Sequence, residues 1–515
     1  MRGKTGGKGR NRREFTYVRV YGLGCLLLAA ALAAPGQVAE QHVTAFTLAN
    51  GLRVAVLERH QSPVIACFTL VGGGSVNDPP GQTGLSSLLG RMQLKGSESV
   101  GSRNWAEEKP ALAALDDAYR RLQAERDKGP LRNEDEYGKL RTQWRLAVDA
   151  AQRWSDSGEY RRILTEAGAA EIGESADYTT LNVSYTLPSN RLELWFAMEA
   201  QRLIHPVVRD FDQERAAMIE DRRKAAADPR NLLRAALLAS AFPAHPYRVP
   251  QDGWPSDLAE LDRRTAQDFL EARYVPGNIV MAVAGDADPA EARRLAEKYF
   301  AAMPARPLPP ALRTAEHPQS GQRTLILERE TAPLLAIGYN RPSYLDRDDT
   351  ALDVLVTLLN SGSTGLARQE LVEEKKLVFS LEVAASYPDG QYPNLFTFLL
   401  VPAPGHSVAD VIQGVDALLF RLRTQKLPPA AVAAARNQIQ SQIYQNLASN
   451  LFAARMLAIH TWTYGDWKKL FTLAADYGKI TEDDLMRVAQ RYLNPANRTV
   501  VYTTLPALRP RGGVQ

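Results

Sequence analysis

Cysteine is almost absent from this sequence: Cys25 and Cys67 are the only two among 515 residues. This scarcity excludes a disulfide framework and a zinc cluster built from thiolates. Cys67 lies in the apolar run from Val64 to Phe68. We therefore expect a buried, unreactive thiol at this position rather than a nucleophile.

Histidine is also scarce, and no two of the seven histidines lie within five residues of each other. They are His42, His60, His205, His245, His317, His406 and His460. This spacing excludes a metal-binding pair on one helical turn, which is the arrangement that short zinc motifs use. A zinc site would have to be assembled from distant parts of the chain, and His245 is expected to be structural.

Acidic residues are nearly missing from the first 39 residues, which hold seven lysines and arginines and one acid, Glu14. An apolar run from Tyr21 to Ala34 follows, with small residues after it. This pattern is typical of a secretory signal, and the run is shorter than the roughly 20 residues of a membrane span. Residues 1–39 are therefore predicted to direct export to the periplasm or the medium, with an uncleaved anchor as the alternative.

The charge of the chain depends on that segment. The whole sequence carries a formal net charge of +4, of which the first 39 residues supply +6, so the mature chain carries −2. A basic surface for nucleic-acid binding is therefore not indicated, and we expect no nucleic-acid partner.

Two segments about 217 residues apart resemble each other. One runs from Thr265 to the apolar stretch Ile279–Val283, and the other from Thr481 to the stretch Thr499–Tyr502. Each predicts a helix that starts at a threonine and ends at Arg-Tyr, then a turn rich in Pro and Asn, then a strand. The sequence thus predicts two homologous halves, with chance similarity of short pieces as the alternative.

The two halves also begin alike. Strands are predicted at Thr44–Leu57, around the turn Asn50-Gly51, and at Val64–Val71, Thr324–Glu328 and Pro333–Tyr339, with apolar helices at Gly84–Lys95 and Ala351–Asn360. We predict domains at 43–303 and 323–505, a Pro-rich linker at 304–322 and a tail at 506–515. A helical hairpin is predicted at about 104–162. It either packs on its own domain, which is favoured, or docks a partner.

Several motifs, in this order, resemble the insulinase/pitrilysin family of zinc metallopeptidases, in the short bacterial form related to mitochondrial processing peptidase subunits. They are Val71–Ser75, Asp78–Leu85, Met92–Ser97, Ser175–Thr179, Leu192–Trp195 and Leu359–Arg368. The resemblance covers residues 43–505 and implies an α+β fold. Each half would be an antiparallel-rich sheet with helices packed on one face, and the two halves would face each other across a chamber.

The resemblance also implies a zinc site, H-x-x-E-H on one helix, that this sequence lacks. Ser87 and Arg91 stand at the two histidine positions, and Gly90 stands at the position of the general-base glutamate. Serine is a poor zinc ligand, arginine offers no lone pair, and glycine has no carboxylate. Asp221, or else Glu220, matches the third, acidic ligand. We expect no bound zinc and no catalytic residue here, and Asp221 either pairs with Arg91 or faces water.

Substrate contacts that the family makes from its second half are weakened as well. Val372 and Phe379 stand where relatives often carry an Arg and a Tyr that bind substrate, and neither can donate a hydrogen bond to a peptide carbonyl. Gly362, Ser363 and Gly365 match a loop that presents substrate in processing-peptidase relatives, although a simple turn is favoured.

The leading hypothesis is an exported, catalytically inactive peptidase homologue. It would act as the non-catalytic subunit of a hetero-oligomer with an active zinc peptidase, or bind extended peptides itself. The alternatives are an active zinc metalloendopeptidase with an atypical site and a structural assembly component.

Overall fold

A computed structural model describes residues 42–506 of the chain. The predicted signal at 1–39 and most of the predicted tail lie outside the described residues. Within residues 42–506, no helix combines the length and the apolar character needed to cross a membrane.

The first half contains a six-stranded mixed sheet with the strand order β1-β2-β6-β3-β5-β4. All neighbours are antiparallel except β2 and β6. The hairpin predicted at Asn50-Gly51 joins β1 to β2, and Gly51 has a φ of 99°. The strands are β1 (Val43–Thr47), β2 (Arg53–Glu58), β3 (Val64–Gly72), β4 (Ala170–Ala176), β5 (Thr180–Pro188) and β6 (Ile279–Gly285).

Ten helices belong to the described part of this half. They are α1 (Leu85–Gly90), α2 (Trp105–Arg126), α3 (Glu134–Gln152), α4 (Glu159–Glu166), α5 (Leu192–Ile204), α6 (Phe211–Ala225), α7 (Pro229–Ala241), α8 (Pro255–Glu260), α9 (Arg263–Arg273) and α10 (Pro289–Phe300).

The second half repeats this architecture with one strand fewer in the residues described. Its sheet has the order β7-β11-β8-β10-β9, which matches β2-β6-β3-β5-β4, and β7 is parallel to β11 as β2 is to β6. The strands are β7 (Arg323–Glu328), β8 (Leu335–Arg341), β9 (Val378–Tyr387), β10 (Asn394–Pro402) and β11 (Arg498–Thr504). The helices are α11 (Asp349–Asn360), α12 (Leu366–Arg368, continued by the π-helical turn Gln369–Glu374), α13 (Val408–Thr424), α14 (Pro429–Leu447), α15 (Asn450–Tyr464), α16 (Lys469–Gly478) and α17 (Glu482–Tyr492).

The sequence repeat corresponds to equivalent structure in the two halves. Helix α9 leads through a short turn into β6, and α17 leads through a similar turn into β11. Thr481 caps α17 with a capping box, whereas Asp262, and not Thr265, caps α9. The predicted α+β fold with two homologous halves is therefore confirmed.

Each sheet packs its own helices on one face and a helix of the other half on the opposite face. Alternate residues of β2 divide between the two faces: Val54 and Val56 join the core of the first half, and Ala55 and Leu57 pack against α15 of the second half. Likewise, α7 of the first half packs on β8, β10 and β11. Because each half buries a helix of the other, the two halves form one packed unit.

The helical hairpin packs on its own domain. The hairpin ends with α3 at Gln152, so its predicted end at about 162 is wrong and falls inside a separate short helix, α4. Glu108 of α2 and Arg209 of the body are each 1% exposed, and the guanidinium Nε lies 2.6 Å from a carboxylate oxygen. Arg209 also donates to the carbonyl of Ser97 at 2.7 Å. A buried ion pair therefore holds the hairpin against its own domain.

The helix predicted at Gly84–Lys95 is wrong in length, because α1 ends at Gly90. The next amides bond three residues back, Arg91 to Leu88 and Met92 to Leu89. The side-chain amide of Gln93 donates to backbone carbonyls of β4 and β5, and the backbone amide of Leu94 donates to the carboxylate of Glu174. These long-range bonds draw the chain out of the helical path, which the local sequence pattern cannot reveal.

Candidate functional site

Helix α1 is the centre of the candidate site and is buried along its whole length. Its N-cap is Gly84, whose φ of 89° favours glycine. The Asp78 carboxylate accepts hydrogen bonds from the amides of Gly84 at 2.8 Å and Ser86 at 3.0 Å, so it satisfies the first turn of the helix. Burial raises the pKa of Asp78 to about 7.

Ser87 is engaged with the protein. Its hydroxyl donates to the carbonyl of Gln251 at 2.9 Å, and the residue is 7% exposed. The side-chain amide of Gln251 in turn donates to the carbonyl of Ala176 in β4 at 2.7 Å. The loop at Gln251 thus lies over α1 and connects it to the edge of the sheet.

Gly90 lies directly against β4. A Cβ atom added to Gly90 would be 2.5 Å from the backbone nitrogen of Ala176 and 2.7 Å from its Cβ atom. Both distances are far below ordinary van der Waals contact, and the first is to backbone that cannot rotate away. The position therefore lacks a carboxylate and also lacks the space for any side chain.

Arg91 and Asp221 form an ion pair at the rim of the site, through a hydrogen bond from Arg91 Nη2 to Asp221 Oδ2. The two side chains are 40% and 52% exposed. The hydrogen bond from the guanidinium lowers the pKa of Asp221. Glu220, the second candidate for an acidic ligand, pairs with Arg223 at 2.7 Å instead.

These side chains do not fit a catalytic zinc ion. The set consists of a hydroxyl bonded to Gln251, a guanidinium and one carboxylate already paired with that guanidinium. Zinc sites take imidazole, thiolate and carboxylate donors, usually three from the protein in a catalytic site. Among residues 42–506, no three His, Cys, Asp or Glu side chains converge in a group that could hold a metal ion.

The candidate substrate-binding residues of the second half lie on the segment from the end of α11 to the start of β9. Val372 belongs to the π-helical turn after α12 and packs on the core of the second half, while Phe379 is the second residue of β9 and is 74% exposed. Gly362 and Ser363 lie in a 3₁₀ turn, and Gly362 has a φ of 50°. A Cβ atom at Gly365 would lie 2.6 Å from the carbonyl oxygen of Leu359. This loop is therefore a close-packed turn between α11 and α12.

A cleft of about 400 Å³ opens between β4, β5 and helix α15. Phe68, Phe452 and Leu451 give it apolar walls, and Arg455 and Glu174 give it opposite charges; Gly173, Ser175, Asn182, Ser184 and Ser449 complete the lining. Strand β4 is the outer strand of its sheet. Sequence reasoning missed this cleft, because four of its ten lining residues come from the start of α15, more than 250 residues further along the chain. The one signal was the sequence of α15, which is apolar on nearly all sides.

Comparison with known proteins identifies this architecture. Residues 260–439 match the family described as "Peptidase M16 inactive domain". The zinc protease PqqE of Helicobacter pylori is 23% identical over 355 residues, which cover 67% of this chain and 79% of that protein. The crystal structure of a protease from Helicobacter pylori superimposes with a TM-score of 0.74 at 20% identity, over 90% of this chain and 99% of the other.

A second solved structure, titled as a peptidase M16 inactive domain from Pseudomonas fluorescens, has a TM-score of 0.71 at 15% identity over 91% of this chain and 99% of that chain. The chain is therefore similar to the insulinase/pitrilysin, or M16, family, in sequence over residues 260–439 and in fold over 90% of its length. Its two sheets are the two halves of the M16 chamber fold. In this chain, helix α1 carries Ser87 and Gly90, and Arg91 follows it, at the positions of the H-x-x-E-H residues that the family resemblance implies.

Proposed function

We propose that this chain is an exported, catalytically inactive M16 homologue that binds extended peptides, or serves as the non-catalytic subunit of an active zinc peptidase. The observation that carries the proposal is the contact between Gly90 and β4. A general base at position 90 would need a side chain where the backbone of Ala176 already lies 2.5 Å from the Cβ position. The close packing of α1 on the sheet, and not only the identity of single residues, would therefore account for the loss of activity.

The residues that stand at the two histidine positions of the family motif support the same proposal. Ser87 uses its hydroxyl to hold the loop at Gln251, and Arg91 places a positive charge at the rim of the site. A guanidinium repels a dication and cannot coordinate it. The Arg91–Asp221 pair satisfies the remaining carboxylate without metal.

Peptide binding is supported by the cleft beside β4. An outer strand offers backbone groups to an added strand, and this mode of recognition needs no metal. The cleft of about 400 Å³ next to it could receive a side chain of such a peptide between Phe68 and Phe452, with Arg455 and Glu174 near its polar groups. Extended peptides are therefore the proposed ligand class.

A role beside an active subunit is supported by the family resemblance together with the lost site, since a chain that binds peptide but cannot cut it would act through a partner. Export is supported by the basic and then apolar N-terminal 39 residues. The proposed partner is an active zinc peptidase of the same family in a hetero-oligomer.

The catalytic half of this proposal is tested by measuring metal content and turnover together. The purified chain is dialysed against zinc, its bound metal is measured by elemental mass spectrometry, and hydrolysis of fluorescein-labelled casein is followed, with an active zinc peptidase of the family as the positive control. We expect less than a tenth of an equivalent of zinc and no turnover above the buffer rate. Stoichiometric zinc with turnover that a chelator abolishes would establish the alternative, an active enzyme with an atypical site.

The binding half is tested separately, with fluorescein-labelled reduced casein fragments as the probe. We expect saturable binding that is weakened by Phe452→Glu, because this change places a carboxylate against the apolar wall of the cleft. The matched control is Phe420→Glu, at an exposed phenylalanine on α13 outside the cleft. Equal binding by both variants would exclude the cleft as the peptide site.

A further inference from the structure

Strands β2 and β7 are equivalent in the two halves and nearly equivalent in sequence. Strand β2 reads Arg-Val-Ala-Val-Leu-Glu and β7 reads Arg-Thr-Leu-Ile-Leu-Glu. Arg53 pairs with Val280 of β6 in a parallel ladder, and Arg323 pairs with Thr499 of β11 in the same way. The six positions of the two strands therefore correspond one to one.

Their surroundings differ on one side. In the first half, β1 pairs antiparallel with β2 along its outer edge, from Val43 opposite Leu57 to Thr47 opposite Arg53. Among residues 42–506, no strand pairs with the outer edge of β7. As a result Ala55 and Val56 are fully buried, whereas the equivalent Leu325 and Ile326 are 37% and 50% exposed.

The backbone groups at this edge can be assigned from the first half. The amide of Glu58 donates to the carbonyl of His42, so the backbone amides and carbonyls of residues 54, 56 and 58 face β1. The amide of Arg59 donates to the carbonyl of Gly285 in β6, on the inner side of β2. The amide of Arg329 donates inward to Thr504 in the same manner. Because successive residues of a strand alternate, Thr324, Ile326 and Glu328 direct their amides and carbonyls to the outer edge of β7.

We propose that this edge of β7 docks an antiparallel strand of a partner polypeptide, in the place that β1 occupies on β2. The partner strand would carry apolar residues on both faces, because Leu325 and Ile326 are successive residues and point to opposite faces of the sheet. An exposed apolar edge of this kind is a template for strand addition, which proteins otherwise cover or block with charge. The proposal concerns a surface separate from α1 and the cleft beside β4, and it does not depend on the proposed function.

Charge refines the chemistry of the partner strand. In the first half, His42 lies opposite Glu58 at the end of the ladder. The equivalent Glu328 of β7 selects a basic residue at that position of the partner, with Glu330 close behind it in sequence. A second copy of β7 fits less well, because antiparallel pairing about Ile326 would place Arg323 opposite Arg329.

The test uses a synthetic peptide with the sequence His42–Leu48 as the probe, labelled with a fluorophore at its amino end, and the full chain as the receptor. Anisotropy measures binding, and hydrogen exchange monitors the amides of Thr324, Ile326 and Glu328. We expect saturable binding that slows exchange at these three amides. Ile326→Pro removes one outward donor and leaves the β11 ladder intact, so it should weaken binding about fivefold, the worth of one hydrogen bond.

Ile326→Lys is the second variant, because it retains the amide and adds a charge that blocks edge pairing; it should weaken binding as well. Unfolding temperatures of both variants show that the chain still folds. Three results would overturn the proposal: no binding of the probe, binding by both variants as tight as by the parent chain, or slow exchange of the three amides in the free protein. The last result would mean that a second copy or another part of this chain already covers the edge.

Discussion

Gly90 of α1 and Ala176 of β4 approach so closely that a Cβ atom on the first would lie 2.5 Å from the backbone nitrogen of the second. The contact joins the end of the helix to the end of an outer strand. The side-chain amides of Gln93 and Gln251 donate to the carbonyls of Ser175 and Ala176 beside it. The lack of a carboxylate at position 90 and the close packing of α1 on β4 thus depend on the same glycine.

The first prediction concerns Gly90→Ala. A methyl group has no room against the β4 backbone, so we expect a loss of about 1–3 kcal/mol in the free energy of unfolding, as is typical of overpacking. Denaturant unfolding measures it. The matched control is Gly138→Ala in the exposed helix α3, where a Cβ atom meets nothing within 4 Å; there alanine should stabilise by about 1 kcal/mol or less. A Gly90→Ala chain as stable as the parent would show that α1 can move away from β4.

The second prediction concerns rebuilding the metal site. The double variant Ser87→His/Arg91→His places two imidazoles one helical turn apart and frees Asp221 from its ion pair, which gives a set of three donors that suits zinc. We expect about one equivalent of zinc by elemental mass spectrometry but no casein hydrolysis, because position 90 still lacks a base.

Adding Asp221→Ala to this double variant should lower the zinc content to well under half an equivalent. The prediction would be wrong if zinc content did not depend on Asp221, or if the double variant cut casein faster than the parent chain.

Much of the fold follows from local sequence. The hairpin at Asn50-Gly51, the helix and strand around Thr481–Tyr502 and the buried Cys67 depend on short-range patterns, and the structure contains all three. The absence of zinc ligands on α1 could also be read directly, since it concerns which side chains are present. The sequence left open whether Asp221 pairs with Arg91 or faces water, and the structure contains the pair.

What the sequence could not provide depends on contacts between distant segments. The early end of α1 results from bonds of Gln93 and Leu94 to strands about 80 residues away. The packing of α15 on the first sheet requires Ala454 and Leu457 to meet Phe68, nearly 400 residues earlier. The apolar character of α15 indicates burial on more than one side, but it does not identify the surface that covers it.

The third prediction concerns pH. Asp349 and Asp353 of α11 are both within 3.5 Å of the single buried guanidinium of Arg341, and Asp353 also accepts a hydrogen bond from Tyr477 at 2.8 Å. Burial, with repulsion between the two carboxylates, raises the pKa of Asp349 to about 7, and burial raises that of Asp353. A raised native pKa means that stability present near pH 4 is lost as the pH rises through about 7.

We therefore expect the urea midpoint of the parent chain to fall between pH 5.5 and pH 8.5, and to fall less in Asp349→Asn, which removes one titrating group. Asp149→Asn, at an exposed position of α3, is the control and should follow the parent. A parent chain whose midpoint rises over this range would contradict the assignment of the two carboxylates.

The last prediction concerns the buried ion pair of Glu108 and Arg209, which holds the helical hairpin of α2 and α3 on its domain. Glu108→Ala would leave the guanidinium of Arg209 buried without its carboxylate, and removal of one partner of a buried pair costs about 3–5 kcal/mol. The three carbonyls of Lys95, Ser97 and Val100 that Arg209 also contacts would retain part of its hydrogen bonding, so we expect the lower end of this range.

Because Glu108 lies near the start of α2, hydrogen exchange should accelerate throughout α2 and α3 before it does in β2 or β3. Asp117→Ala, which removes an exposed pair with Arg120 on the same helix, should leave exchange unchanged. Uniform acceleration over the whole first half would instead mean that the hairpin and the sheet unfold as one unit.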